Sequence, residues 1–175
     1  MSVDGCIAGI NGELDWMVWN WDQELKNYVI GITEPVDCII LGRKLAQGFI
    51  PHWAAHPEAE GGDKMNNTHK VVFTKTLDVS TWQNTVLAKG GLTEEITKLK
   101  NQNGKDIIAY GGAGFVSALI KEGLIDEYHL FINPAVIGNG MPIFRELDSR
   151  LNLKLVKAVP FDCGIVVLNY EPIRK

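Results

Sequence analysis

Cysteine is scarce in this chain: only Cys6, Cys38 and Cys163 occur, widely spaced and without a Cys-x-x-Cys pair. That argues against a disulfide framework or a zinc knuckle and leaves the three as small core residues. No apolar run approaches the length of a bilayer span, and the opening Met1-Ser2-Val3-Asp4 has neither the basic nor the apolar region of a signal peptide. A cytoplasmic protein without a membrane partner is expected. Positive charge is not in excess either. A formal net charge of −4 argues against a nucleic-acid or anionic-membrane surface. Histidines number four, and although His52 and His56 have helical metal spacing, Pro51 and Pro57 bracket them and no third ligand is evident, so no metal site is expected. What is present is 175 residues at 46% hydrophobic, enough for one sizeable core and short for two. A single domain over residues 1–175 is expected.

The most informative stretch runs from Asp106 to Gly123. Ile107, Ile108, Ala109 and Tyr110 form a short apolar run that suits a buried strand, and Val116, Leu119 and Ile120 then recur at helical spacing. Gly123 stands where a left-handed residue would end that helix. The junction is Gly111-Gly112-Ala113-Gly114-Phe115. Glycines there leave backbone N–H groups open to an anion, and the helix start adds about half a positive charge, so the site suits a phosphate. It is not a P-loop, nor is it the dinucleotide fingerprint of Rossmann proteins, because Gly112-Ala113-Gly114 is followed by Phe115-Val116-Ser117 where the fingerprint has its third glycine. The same glycines serve equally as a tight turn with close packing.

Two further strand ends carry compatible groups. Asp37–Leu41 reads as a buried strand, followed by Gly42-Arg43-Lys44 at the start of a short helix reaching Phe49. Cations are unfavourable at a helix start, a conflict that a ligand phosphate would resolve; solvated basic side chains are the alternative. Lys70–Thr74 reads as a third strand, ending in Thr74-Lys75. In an open α/β sheet ligands bind beyond the carboxyl ends of the strands, so the three clusters can converge. Arg43, Lys44 and Lys75 would then favour a nicotinamide dinucleotide with an extra 2′-phosphate.

Elsewhere, Ser2–Ile7 reads as the end of a strand, residues 8–12 as a glycine loop, and Pro51–Thr68 as a long surface loop. Leu14 and Trp16 close the glycine loop, and Trp16, Trp19 and Trp21 crowd six residues, as pocket wall or as core. Asp22 has two readings. It caps a helix over about residues 23–32, or it is the acidic group of an active site, its pKa raised by burial beside the tryptophans. His129, inside a strand at 127–133, reads as a satisfied structural histidine. Residues 151–158 and 163–170 alternate in polarity around Asp162-Cys163-Gly164 and read as a closing antiparallel hairpin, whose edge offers a surface for a homodimer. The whole is an α/β fold, a mixed, mostly parallel sheet flanked by helices.

Ser2-Val3-Asp4-Gly5-Cys6-Ile7-Ala8-Gly9, Asp15-Trp16, Leu41-Gly42-Arg43-Lys44, Phe73-Thr74-Lys75, Gly111-Gly112-Ala113-Gly114, Leu124-Ile125-Asp126-Glu127 and Ile137-Gly138-Asn139-Gly140-Met141-Pro142-Ile143-Phe144 together resemble the C-terminal reductase domain of riboflavin biosynthesis proteins of the RibD type, within the dihydrofolate reductase-like superfamily. The resemblance runs over nearly the whole chain in order. It implies a dihydrofolate reductase-like fold and NADPH as hydride donor to a small, flat heterocycle, either an aminopyrimidine as in 5-amino-6-(5-phosphoribosylamino)uracil reduction or a pterin. It places Arg43, Lys44, Thr74 and Lys75 near the adenosine phosphate and Gly111–Phe115 under the pyrophosphate. Ile7, Ala8 and Leu14 would line the nicotinamide, and Trp16 would close the substrate side.

Two departures stand beside it. Riboflavin-pathway reductases usually carry lysine where this chain has Cys6, and they often follow a zinc deaminase domain, whose Pro-Cys-x-x-Cys motif is absent here. Relatives also have several residues ahead of the Ser2-Val3-Asp4 equivalent that complete a strand, and only Met1 stands there, so either the start lies too far downstream or the first strand is shortened and the cofactor site incomplete. The leading expectation is an NADPH-dependent reductase with Asp22, or a water near it, supplying the proton. The alternatives are a non-catalytic NADP(H)-binding protein and a structural, oligomer-forming domain.

Overall fold

The computed structural model describes residues 1–145 and 147–174. Contacts divide the chain into two compact units: Val29–Val116, and a second assembled from Met1–Tyr28 with Ser117–Lys175. The elements in chain order are α1 (Gln23–Thr33), β1 (Val36–Gly42), α2 (Arg43–Ala55), α3 (Gly62–Asn67), β2 (His69–Phe73), β3 (Thr85–Ala88), α4 (Leu92–Lys100), β4 (Asp106–Ala109), α5 (Ala113–Lys121), β5 (Tyr128–Ile132), β6 (Leu153–Pro160) and β7 (Val166–Pro172). Among them no helix is long and apolar enough to cross a membrane.

In the Val29–Val116 unit the strands form a wholly parallel sheet in the order β3-β2-β1-β4. A parallel sheet is covered on both faces, so an inner strand reads as a continuous apolar run. β1 does so: Val36, Cys38, Ile39, Ile40 and Leu41 are all buried. Ile39 and Leu41 pack with Ala46 and Ile50 of α2, Met65 of α3 and Val72 of β2. Residues 51–68 are not the surface loop expected. α2 continues through Pro51 to Ala55, and α3 follows. A proline inside a helix removes one backbone bond, but the stripe Ala46, Phe49, Ile50, Trp53 keeps its 3.6-residue period across it and packs on the core. Asn66 donates its side-chain amide to the Trp53 carbonyl near the end of α2. Lys70, 1% exposed, ties its ammonium to the carbonyls of Asn66, in the last turn of α3, and Thr68, its C-cap.

The second unit contains the antiparallel sheet β5-β7-β6. The expected closing hairpin is its β6–β7 pair, and the strands overall are hydrogen-bonded as two sheets rather than one. Ser2–Ile7 is not a strand end. The Ser2 amide donates to the Cys6 carbonyl at 2.7 Å, the Gly5 amide to the Ser2 carbonyl at 3.1 Å, and Gly5 has φ +88. That is a three-residue hairpin loop with a left-handed glycine at its end. Gly9–Glu13 repeats the pattern with Gly12 at φ +92, and Phe161–Ile165 repeats it with Gly164 at φ +91. The arms of the first loop are short: Cys6 forms a lone bridge with Pro142, while Val3 N–H reaches the Ala135 carbonyl at 2.8 Å. At the end of α5 the expected cap is present, with Gly123 at φ +64, its amide on Ile120 O and that of Leu124 on Leu119 O.

Candidate functional site

In the parallel-sheet unit three strand ends meet around one ring. Gly42, at the end of β1, has no room for a side chain, because a Cβ there would lie 2.8 Å from the Phe115 Cβ. The Phe115 ring in turn stands 5.1 Å from that of Phe73, the last residue of β2. Phe115 belongs to the first turn of α5, directly after β4 and Gly111-Gly112. Leu45, in the first turn of α2, closes the remaining side, 3.3 Å from where a Gly111 Cβ would be and 3.7 Å from one on Gly112. Gly42, Phe73-Thr74 and Gly111–Phe115, three separate sequence clusters, are therefore neighbours.

The polar groups at this convergence are suited to anions. Two helices begin here, and Gly42 supplies the start of α2 with no side-chain cap. Unsatisfied amides and the helix dipole there favour negative charge. Arg43 is half-buried, its guanidinium donating to Gln47 Oε1 at 3.3 Å, and Lys44 is exposed. Thr74 is buried, and its Oγ1 accepts the amides of Thr76 and Leu77, each at 3.1 Å. Lys75 is exposed and gives two of its three ammonium protons to the carbonyls of Lys89 (2.9 Å) and Gly90 (3.0 Å) just past β3. Arg43, Lys44 and Lys75, with a fixed hydroxyl loop at two helix starts, can hold phosphate groups.

In the second unit the Ile7–Trp16 segment is organised by its own hydrogen bonds. Ile7 N–H donates to Met141 O at 2.9 Å and Met141 N–H returns to Ala8 O at 2.8 Å. Glu13 holds the loop tip through the amide and side chain of Asn11, and its carbonyl accepts the Trp16 indole N–H at 3.2 Å. Leu14 is 41% exposed and Trp19 63% exposed, so the tryptophan cluster is not simply core. Trp21 bonds Val18 O at 2.8 Å, and Val18 N–H is held at 2.8 Å by the side-chain oxygen of Asn133, itself 1% exposed.

Asp22 departs from the reading as a raised-pKa acid. Its Oδ1 accepts the Leu25 amide at 2.8 Å and its Oδ2 the Cys163 amide at 2.9 Å. These bonds stabilise the carboxylate and hold its pKa below the ordinary aspartate range, the opposite of what burial beside tryptophans would do. It caps α1, anchored to the loop before β7. His129 is satisfied on both ring nitrogens, by the Tyr28 hydroxyl at 3.0 Å and by Glu127 at 3.1 Å. His52 and His56 stack at 4.6 Å, and His56 Nδ1 donates to its neighbour's carbonyl. Three residues to which the sequence assigned no role of their own organise the second unit: Asp4, Asn133 and Gly140. The Asp4-Gly5 pair was itself a turn signal.

The profile of the RibD C-terminal domain matches residues 1–167. The chain belongs to the RibD C-terminal domain family. It is 34% identical over 175 residues to the uncharacterized protein YyaP of Bacillus subtilis (strain 168), covering 98% of this chain and 90% of YyaP. A crystal structure from Shewanella sp. PV-4, of a protein named for riboflavin biosynthesis, superposes with a TM-score of 0.76 at 24% identity, over 99% of this chain and 96% of that one. Dihydrofolate reductase of Enterococcus faecalis, solved with NADP(H) and RAB-propyl, superposes with a TM-score of 0.64 at 17% identity, over 99% and 93%. At those identities the likeness is one of fold, and the fold is dihydrofolate reductase-like. The RibD C-terminal match covers residues of both compact units.

Proposed function

We propose that the chain is an NADPH-dependent reductase that transfers hydride to an unsaturated carbon or C=N of a flat heterocycle, of the aminopyrimidine or pterin kind. The observation that carries this reading is the meeting of three strand ends at Phe115, which gathers Gly42-Arg43-Lys44, Thr74-Lys75 and Gly111–Phe115 into one anion-compatible cluster. The family and the fold support it. Arg43, Lys44, Thr74 and Lys75 are assigned to the adenosine 2′-phosphate, and Gly111–Phe115 to the pyrophosphate. Ile7, Ala8 and Leu14 are assigned to the nicotinamide, and Trp16 to the substrate side. NADPH supplies the hydride; positioning and the exclusion of water are the protein's share. Asp22, with both oxygens on backbone amides, anchors α1 and is not offered as the acid. A water molecule supplies the proton that accompanies the hydride.

Calorimetric titration with NADPH and with NADH tests the cofactor assignment. Replacing Arg43 and Lys44 together by alanine is expected to weaken NADPH about a hundredfold, as two charge-assisted contacts are lost, and NADH less than about threefold. Equal losses for the two dinucleotides would contradict the 2′-phosphate assignment. A second reading, a non-catalytic NADP(H)-binding protein, is favoured by one observation: Cys6, in the position where riboflavin-pathway reductases carry lysine, is buried and only 8% exposed. It predicts NADPH binding with no NADPH oxidation in the presence of dihydrofolate or aminopyrimidines.

A further inference from the structure

Asp4 is exposed, yet its carboxylate is committed to the chain's own backbone. Oδ2 accepts the Gly138 amide at 2.8 Å and Oδ1 the Ile137 amide at 3.3 Å. The Ser2 hydroxyl and these two amides hold its pKa below the ordinary range. The loop gripped in this way returns at once to Ile7 and Ala8. Met141 exchanges hydrogen bonds with both, and Pro142 bridges Cys6. Between the two grips stands Gly140, where a Cβ would lie 2.4 Å from Ala8 O and 3.0 Å from the Cys6 Cβ. From Asp4 the chain needs only four residues to reach Ala8, so Asp4, the 137–141 loop and Ile7-Ala8 form a small closed ring of contacts.

We propose that Asp4 is a positioning residue, which fixes the backbone of Ile7 and Ala8 for the nicotinamide half of NADPH by clamping the Gly138–Met141 loop. This rests on the reductase reading. An exposed carboxylate adds little to stability, whereas a displaced backbone beside a reacting ring weakens its alignment strongly. The clamp needs an acceptor with two oxygens in Asp4's place and a residue without a side chain at 140.

The test compares NADPH with adenosine 2′,5′-bisphosphate, which lacks the nicotinamide, in titrations of the full chain and of the Asp4→Ala, Asp4→Asn and Gly140→Ala variants. Asp4→Ala and Gly140→Ala are expected to weaken NADPH about tenfold while changing the bisphosphate less than about twofold. Asp4→Asn keeps one acceptor oxygen for the 2.8 Å bond to Gly138 and is expected to recover part of the loss. Unchanged NADPH binding by Asp4→Ala overturns the proposal. Equal weakening of both ligands also overturns it, since that reports a general loss of structure. If the unaltered chain binds neither ligand, the reductase reading falls before any variant is made, and the proposal falls with it.

Discussion

Asp22 and Lys70 are both committed to backbone partners, and they bend the pH dependence of stability in different windows. For Asp22 the folded pKa lies below the ordinary 3.8. The folded state then binds fewer protons than the unfolded state in the window below 3.8, so Asp22's contribution is complete above that pH and is lost as pH falls through the folded value. Compared with Asp22→Asn, the unaltered chain should show a higher melting midpoint at pH 6 that converges on the variant's toward pH 2. Lys70 works in the alkaline direction. Burial lowers its pKa from 10.5, so between the folded value and 10.5 the unfolded state holds the extra proton and stability rises with pH. Denaturant midpoints of Lys70→Met and the unaltered chain, taken at pH 7 and pH 10, should shift in favour of lysine at the higher pH; no relative shift would mean that Lys70 titrates like a solvated amine. Asp22 was legible as a cap from its place before a helical stripe. Lys70 was not, because nothing local in Lys-Val-Val-Phe-Thr marks its first residue as buried. Only the carbonyls of Asn66 and Thr68, delivered by the last turn and cap of α3, account for it.

At the level of elements, one device recurs three times in the second unit: a three-residue loop closed by a left-handed glycine, at Gly5, Gly12 and Gly164. Asp4-Gly5 and Asn11-Gly12 are strong hairpin dipeptides, so two of the loops are legible in the sequence; that Ser2–Ile7 is a loop rather than a strand end is less so, because its partners, Ala135 and Pro142, lie far along the chain. A side chain at φ +91 is strained, and at Gly164 it would also meet the Pro134 Cγ at 3.2 Å. Gly164→Ala is therefore expected to destabilise the chain by about 1–2 kcal/mol. Gly31 provides the contrast: it lies inside α1 with nothing within 4 Å of an added Cβ. There alanine should stabilise by about 0.5–1 kcal/mol through helix propensity alone. Chemical denaturation of the two variants reads both signs, and a stabilising Gly164→Ala would refute the assignment of that loop. The same reasoning explains why residues 51–68 were missed: Pro51 and Gly61-Gly62 outweighed an apolar stripe that tertiary packing keeps helical.

Across the whole chain, the class of fold was legible because apolar runs alternating with helical stripes call for parallel strands, and the closing alternation calls for an antiparallel pair. The division of strands into two sheets was not, since pairings such as β1 with β4 join residues some seventy positions apart and leave no local trace. The three anion-compatible clusters were legible one by one; what brings them together is the tight contact of Phe115 with Gly42 and its ring pairing with Phe73, both of which are tertiary. If these clusters hold the phosphates of NADPH, binding is linked to the folding of the module, because no such cluster exists in the unfolded chain. A ligand at about 100 times its Kd then adds about 2.7 kcal/mol of stability, which for a chain of this size raises the melting midpoint by about 5–10 °C. NADPH at that excess should produce the full shift, NADH at the same concentration a small fraction of it, and the Arg43→Ala, Lys44→Ala double variant should erase the difference between them. A midpoint unmoved by NADPH would leave Gly42, Gly111 and Gly112 as packing devices and Arg43 and Lys44 as solvated cations at a helix start.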